Sequence, residues 1–189
     1  MSNKEEISQL ISDCVNNSRK AQEKLFKLFY GKMLYLCLRY HPDRDTAQEV
    51  VQEGFIKVFE KISSFDMQGS IEAWIRRIMV NTAIDLIRKN NKATLVELND
   101  NHKDSFSDQD TEEIEMSFET NQRLALEAIQ ELSPAYRTVF NLYYVEDLTH
   151  KEIAEQLGIS EGTSKSNLAK AKMRVKQIIE HKTANNSVE

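Results

Sequence analysis

Ser133-Pro134-Ala135-Tyr136-Arg137, followed by Thr149-His150-Lys151-Glu152-Ile153-Ala154-Glu155-Gln156-Leu157-Gly158-Ile159-Ser160, is the stretch on which the fold turns. Ser133 can cap a helix that begins with Pro134, where a missing N–H costs nothing because it would be unpaired anyway. Thr149 and Glu152 have the spacing of a capping box, each side chain within reach of the other's orphan backbone N–H. Gly158 is the residue type that ends a helix in the left-handed conformation, and Ser160 can cap the next one. The result is a short helix, a turn of about three or four residues and a second helix, which is a helix-turn-helix. From Glu161 to Lys182 the second helix holds six basic side chains against two acidic ones. This pattern reads as a DNA-binding element whose second helix enters the major groove, with an ordinary helical hairpin as the alternative.

The rest of the chain agrees with a helical protein. Only five glycines and two prolines occur in 189 residues, and Leu, Ile, Lys and Glu are abundant, which points to an all-α fold. That length allows one or two domains with enough core to fold unaided. Cys14 and Cys37 fit no zinc or redox spacing, so a reducing, cytoplasmic setting is expected. No apolar run approaches the roughly 18 residues of a membrane span, and Met1-Ser2-Asn3-Lys4-Glu5 lacks a signal peptide's basic-then-apolar pattern. His41, His102, His150 and His181 show no ligand spacing, so neither a metal nor a cofactor is expected.

The net charge of −5 is unevenly spread. Residues 1–91 carry 14 basic and 12 acidic side chains, whereas residues 92–121 carry nine acids against Lys92 and Lys103. Residues 122–189 balance at nine each. The middle segment is acidic, polar and without apolar periodicity, which predicts a flexible linker over 92–121 between two small helical domains. The first domain spans 1–91, the helix-turn-helix domain 122–182, and 183–189 is expected to be a disordered tail.

In the first domain Ile7, Leu10, Ile11 and Cys14 make one helical stripe, and Leu25, Phe26, Phe29, Met33, Leu36 and Cys37 make another, before His41-Pro42-Asp43 breaks the pattern. The next helix is expected to start at Thr46, with Glu49 completing a capping box, and to run to about Ile62. Val51, Phe55, Val58, Phe59 and Ile62 share its inner face, and Glu49, Gln52, Glu53, Ile56 and Glu60 the outer one. An isoleucine among carboxylates suits a basic partner with an apolar centre, or it is a solvated face with one stray apolar residue. A loop, Ser63-Ser64-Phe65-Asp66-Met67-Gln68-Gly69, then leads to a helix capped by Ser70 and reaching about Asn90. Trp74, Arg77, Asn81 and Arg88 line one narrow stripe of it, with Asp85 beside them. Such a line can stack a base, hold phosphates and bond a base edge. Alternatively Trp74 is core and Asp85 pairs with Arg88.

Taken together, Asp45-Thr46-Ala47-Gln48-Glu49-Val50-Val51-Gln52-Glu53-Gly54-Phe55-Ile56-Lys57-Val58-Phe59, the Trp74–Lys89 segment, Leu132–Phe140 and Thr149–Ile179 resemble the extracytoplasmic-function class of bacterial sigma factors. The resemblance implies core RNA polymerase and promoter DNA as partners, an anti-sigma factor as a third, and no membrane contact or catalysis of the chain's own. It implies that Glu49, Gln52, Glu53 and Ile56 sit on the polymerase. It implies that Ser63, Ser64, Phe65, Asp66 and Met67 hold a flipped-out −10 base while Trp74, Arg77, Asn81 and Arg88 border the melted strand. Thr163, Ser166 and Lys170 are expected to face away from a Leu168/Ala171/Val175/Ile178 core stripe, toward −35 DNA, with Lys165, Asn167 and Arg174 flanking them as phosphate contacts. Three residues depart from the family pattern. Ser164 lies in the core stripe and is expected to need a backbone partner, Asn167 stands where a basic residue is common, and Gly54 sits inside a helix at a cost of about 1 kcal/mol relative to alanine. A stand-alone helix-turn-helix regulator with an effector-binding domain is the competing reading. An enzyme with a DNA-binding tail lacks any nucleophile pairing, phosphate-binding glycine loop or metal spacing to support it.

Overall fold

The computed structural model describes residues 3–67, 69–90 and 122–186, and these residues are helical with no strand among them. The acidic segment expected as a linker over 92–121, Gln68 of the loop and the last three residues of the tail lie outside them. The chain divides into two compact units, Met1–Leu86 and Ile87–Glu189.

The first unit contains α1 (Asn3–Val15), α2 (Arg19–Tyr40), α3 (Arg44–Lys61), a 3-10 turn (Ile62–Ser64) and most of α4 (Ile71–Asn90). Asn17 separates α1 from α2 by taking a left-handed φ of 58°, a conformation asparagine tolerates better than most residues. Ser18 then caps α2 by accepting the Ala21 N–H at 3.4 Å. α2 packs along α1 and α3. Leu25, Phe29, Met33 and Tyr40 of α2, Val50, Val51, Phe55 and Val58 of α3, and Ile75 and Met79 of α4 are all buried.

α3 begins two residues earlier than the Thr46 capping box predicts. Asp43 is the cap, its Oδ2 accepting both the Thr46 N–H at 2.8 Å and the Thr46 hydroxyl at 2.6 Å. An anionic acceptor at a helix N-terminus gains from the dipole as well as the hydrogen bond, so the aspartate outcompetes the threonine. The same two bonds hold the Asp43 carboxyl below its usual pKa. Gly54 also has a packing reason. A β-carbon there would stand 2.3 Å from Met79 Sδ, and Met79 is itself fully buried. The glycine lets α4 approach α3, which offsets its poor helix propensity.

The second unit is built from α5 (Gln122–Gln130), α6 (Pro134–Tyr144), α7 (His150–Leu157) and α8 (Glu161–Asn186). Its caps follow the sequence reading. Ser133 accepts the Tyr136 N–H, Thr149 and Glu152 form the reciprocal box, and Gly158 takes a φ of 69°. Ser160 Oγ accepts the Thr163 N–H at 3.0 Å. Gly158-Ile159-Ser160 is therefore the turn between the two helices. Arg137 is buried, and its guanidinium donates to Ile129 O, Gln130 O and Leu132 O at 3.3, 3.0 and 2.5 Å. These carbonyls lie at and just past the end of α5, where intrahelical donors run out. α8 packs on α5, α6 and α7. It runs to Asn186, four residues into the stretch expected to be a disordered tail. Near its end Lys182 Nζ lies 2.8 Å from Glu131 and 3.2 Å from Glu127.

Candidate nucleic-acid and partner interfaces

Three surfaces carry the residues singled out in the sequence. On α3, Glu49, Gln52, Glu53 and Ile56 stand at i, i+3, i+4 and i+7, and all four are exposed. Ile56 is 59% exposed although Phe55 beside it is buried. The row therefore sets one apolar side chain beside a carboxamide and two carboxylates on the exposed side of α3.

Past α3, Ser63 and Ser64 are exposed in the 3-10 turn, where Ser64 Oγ donates to Lys61 O at 2.7 Å. Phe65 is half-buried and its ring meets Trp74 at 5.5 Å between centroids, tilted by 54°. Asp66 and Met67 are exposed, and the Asp66 carbonyl accepts the Gly69 N–H at 3.1 Å. Ser70 caps α4 by accepting the Ala73 N–H at 3.3 Å. On α4, Arg77 and Asn81 are exposed, and Trp74 and Arg88 are half-buried. Trp74 is thus neither wholly core nor wholly free. One side rests on Phe65, which fixes the ring and anchors the loop to the stripe. Asp85 is exposed and lies 3.9 Å from Lys57 Nζ of α3.

On α8, Lys165 and Arg174 are exposed and Ser166 and Lys170 half-buried. Two expectations are overturned. Thr163 is 7% and Asn167 4% exposed, so neither faces outward. Because α8 is covered from three sides, its inner arc is broader than one apolar stripe and includes Thr163, Ser164, Asn167, Leu168, Ala171 and Val175. Ser164 and Asn167 stand one turn before Leu168 and Ala171, and Thr163 one turn before Asn167, so all three share the covered side. Thr163 instead completes the turn, its hydroxyl 2.8 Å from Ser160 Oγ. Asn167 keeps its Nδ2 without a hydrogen-bond partner among the described residues. Ser164 does have a partner, but it is a side chain, not backbone. His150 Nδ1 lies 2.9 Å from its Oγ, and the imidazole stacks on Tyr143 at 4.9 Å. The sequence reading missed His150 because one histidine at a helix start carries no spacing signal.

One chain thus carries a mixed apolar-acidic helix face, an aromatic-cationic stripe beside a polar loop, and a helix-turn-helix. The sigma-70 region 2 model matches residues 25–93 and the sigma-70 region 4 model residues 122–175. The ECF RNA polymerase sigma-E factor of Haemophilus influenzae is 30% identical over 92% of this chain and 93% of its own. RNA polymerase sigma factor SigV of Bacillus subtilis is 30% identical over 72% of this chain and 77% of its own. The solved sigma factor RpoE of Bartonella quintana, in complex with the anti-sigma factor NepR, shares the fold. Its TM-score is 0.50 at 19% identity, covering 84% of this chain and 96% of that one. The chain belongs to the extracytoplasmic-function family of RNA polymerase sigma factors. It is a transcription initiation factor that directs the polymerase to promoters, and sigma factors as a class are not enzymes. Among the described residues no helix is long and apolar enough to cross a membrane.

Proposed function

We propose that Glu49, Gln52, Glu53 and Ile56 dock on core RNA polymerase, that the Ser63–Met67 loop with Trp74, Arg77, Asn81 and Arg88 receives the melted −10 strand, and that Lys165, Ser166, Lys170 and Arg174 meet −35 duplex DNA. Thr163 and Asn167 support that last surface from inside. The observation that carries the reading is Ile56, an apolar side chain 59% exposed at the end of the row formed with Glu49, Gln52 and Glu53. Residues 1–91 and 122–182 act as the two binding domains, and the acidic 92–121 segment joins them. The protein works in the cytoplasm, where the polymerase is. An anti-sigma factor that covers the polymerase-binding face is its proposed regulator, as NepR partners the Bartonella quintana protein.

The reading is tested with Glu53→Lys combined with Ile56→Asp, both on exposed positions. Pull-down of core polymerase is expected to fall at least tenfold, about 1.4 kcal/mol or more, with an unchanged circular dichroism spectrum. Unchanged core affinity would remove the docking face. Run-off transcription on genomic fragments should show starts with core plus this protein that core alone does not make.

A further inference from the structure

Two glycines sit within the helices of the first unit, and packing inside the fold accounts for one of them. Gly54 makes room for Met79. A β-carbon at Gly31, midway along α2, would meet no heavy atom within 4 Å. Glycine inside a helix is costly unless something must approach its bare backbone, and nothing among the described residues does so here. Gly31 is exposed, and the side chains one turn to either side of it are large and apolar. Leu28 is 50% and Tyr35 43% exposed. Exposed Lys24 extends the row by one more turn. The row points away from α3. Phe26 and Tyr30 are the α2 residues that meet α3, the first 4.7 Å from Phe55 between ring centroids, the second with its hydroxyl 3.4 Å from Gln48 Nε2. At 100° per residue, Leu28 lies about 160° round the helix from Phe26, and Tyr35 about 140° from Tyr30.

The border of this row is basic. α2 holds six basic side chains against Glu23 alone. Lys27 pairs with Glu23 at 2.5 Å and Lys32 with Glu72 at 2.6 Å, and the Arg39 guanidinium lies over the Tyr35 ring, 4.9 Å from its centroid. Lys20 and Lys24 are exposed and make no ion pair among the described residues. We propose that the Lys24–Leu28–Gly31–Tyr35 face of α2 is a docking site for an acidic amphipathic helix of a partner protein. The partner's apolar stripe packs on Leu28 and Tyr35, its backbone comes close at Gly31, and its flanking carboxylates meet Lys20 and Lys24. A nucleic acid would use the same cations but gains little from an exposed leucine beside a bare stretch of helix backbone. The site is separate from the Glu49–Ile56 row and does not rest on the polymerase or promoter assignments.

The test titrates the full chain into a fluorescent, hydrocarbon-stapled peptide of about four helical turns, with leucines at i, i+4 and i+7 and glutamates on both flanks. Anisotropy should show saturable binding that weakens with salt, and the same peptide with lysines for the glutamates should bind at least tenfold more weakly. Leu28→Gln with Tyr35→Gln, and separately Lys20→Glu with Lys24→Glu, should each lower affinity at least tenfold with an unchanged circular dichroism spectrum. Gly31→Gln separates docking from folding. In open space it should raise the melting temperature, because glutamine is the better helix former, while it lowers peptide affinity at least tenfold. Glu53→Lys with Ile56→Asp should leave peptide affinity within about twofold of the parent, since that row lies elsewhere. The proposal is overturned if the acidic peptide does not bind, if the lysine peptide binds as well, or if Gly31→Gln binds like the parent. Two further results would assign the face to another occupant and overturn it too. One is binding of a random-sequence oligonucleotide, in place of the peptide, that depends on Lys20 and Lys24. The other is self-association in sedimentation that Leu28→Gln with Tyr35→Gln abolishes, which would make a second copy of the chain the occupant.

Discussion

Arg137 and His150 show how single polar side chains organise the second unit from inside. Burial pushes the Arg137 guanidinium down to about 10, which is still far above neutral pH, so it remains charged. A buried cation needs several acceptors, and the carbonyls at the end of α5 supply them at a helix terminus of favourable polarity. His150 is the opposite case. It opens α7, where a positive charge opposes the helix dipole. Burial, first, then Lys165 and, less strongly, Lys172 lower its pKa below the ordinary 6.5, against an opposing pull from Glu161 that is weaker than that of Lys165. The neutral ring is thus the one that folds best against Ser164 and Tyr143. Between its lowered folded value and 6.5, the unfolded chain holds more protons, so stability falls as pH drops through that window and levels off below it. We expect the melting temperature of the second unit's transition to fall from pH 7.5 to 5.5 by more in the parent than in His150→Gln, whose amide still reaches Ser164. Parallel pH profiles would show that His150 does not titrate on unfolding. Neither residue's role was legible in the sequence, because both depend on partners brought in from other helices.

At the scale of elements, helix ends were readable wherever the signal is local. Ser133-Pro134, the Thr149–Glu152 box, Gly158, Ser160 and Ser70 each act within three or four residues, and each does what its spacing implies. The reading failed where two local signals compete, as Asp43 and Thr46 do, and where a face is set by how many neighbours a helix has, as on α8. Gly54 belongs to the second kind. Its cost to α3 is visible in one dimension, but its reason, the Met79 thioether, lies on α4. This makes a sign change the test. Gly54→Ala alone gains about 1 kcal/mol of helix propensity but crowds a close-packed site at a cost of roughly 1–3 kcal/mol, so it should destabilise the fold. With Met79→Ala already present, which alone costs about 2–5 kcal/mol, the same Gly54→Ala should stabilise by up to about 1 kcal/mol. Urea unfolding of the four proteins measures the cycle, and a Gly54→Ala effect of the same sign in both backgrounds would mean that the close approach to α4 is not what the glycine permits.

At the scale of the molecule, the proposed division of labour joins two modest surfaces in one chain. With Thr163 and Asn167 turned inward, the outward face of α8 is narrower than the sequence suggested. Lys165, Ser166, Lys170 and Arg174 remain, and Arg174 is already engaged with Gln177 at 3.2 Å. On the proposed reading, two lysines and a hydroxyl would make a weak, mostly electrostatic grip on duplex DNA. Once the first unit is held on the polymerase, however, the second meets nearby DNA at a high effective concentration, and a weak grip suffices. Lys165→Ala with Lys170→Ala should therefore lower promoter-directed initiation while leaving core affinity unchanged. For each of the two lysines that neutralises a phosphate, its removal should also reduce the slope of log affinity against log salt by about 0.9 for the polymerase–promoter complex. The drop in initiation should be shallow at low salt, where the polymerase's own grip on DNA carries the complex, and steepen as salt weakens it. Equal loss of core binding and initiation would place these lysines on the polymerase side. An unchanged salt slope with reduced initiation would move them from phosphates to base edges, and so make α8 a reader of sequence more than a holder of backbone.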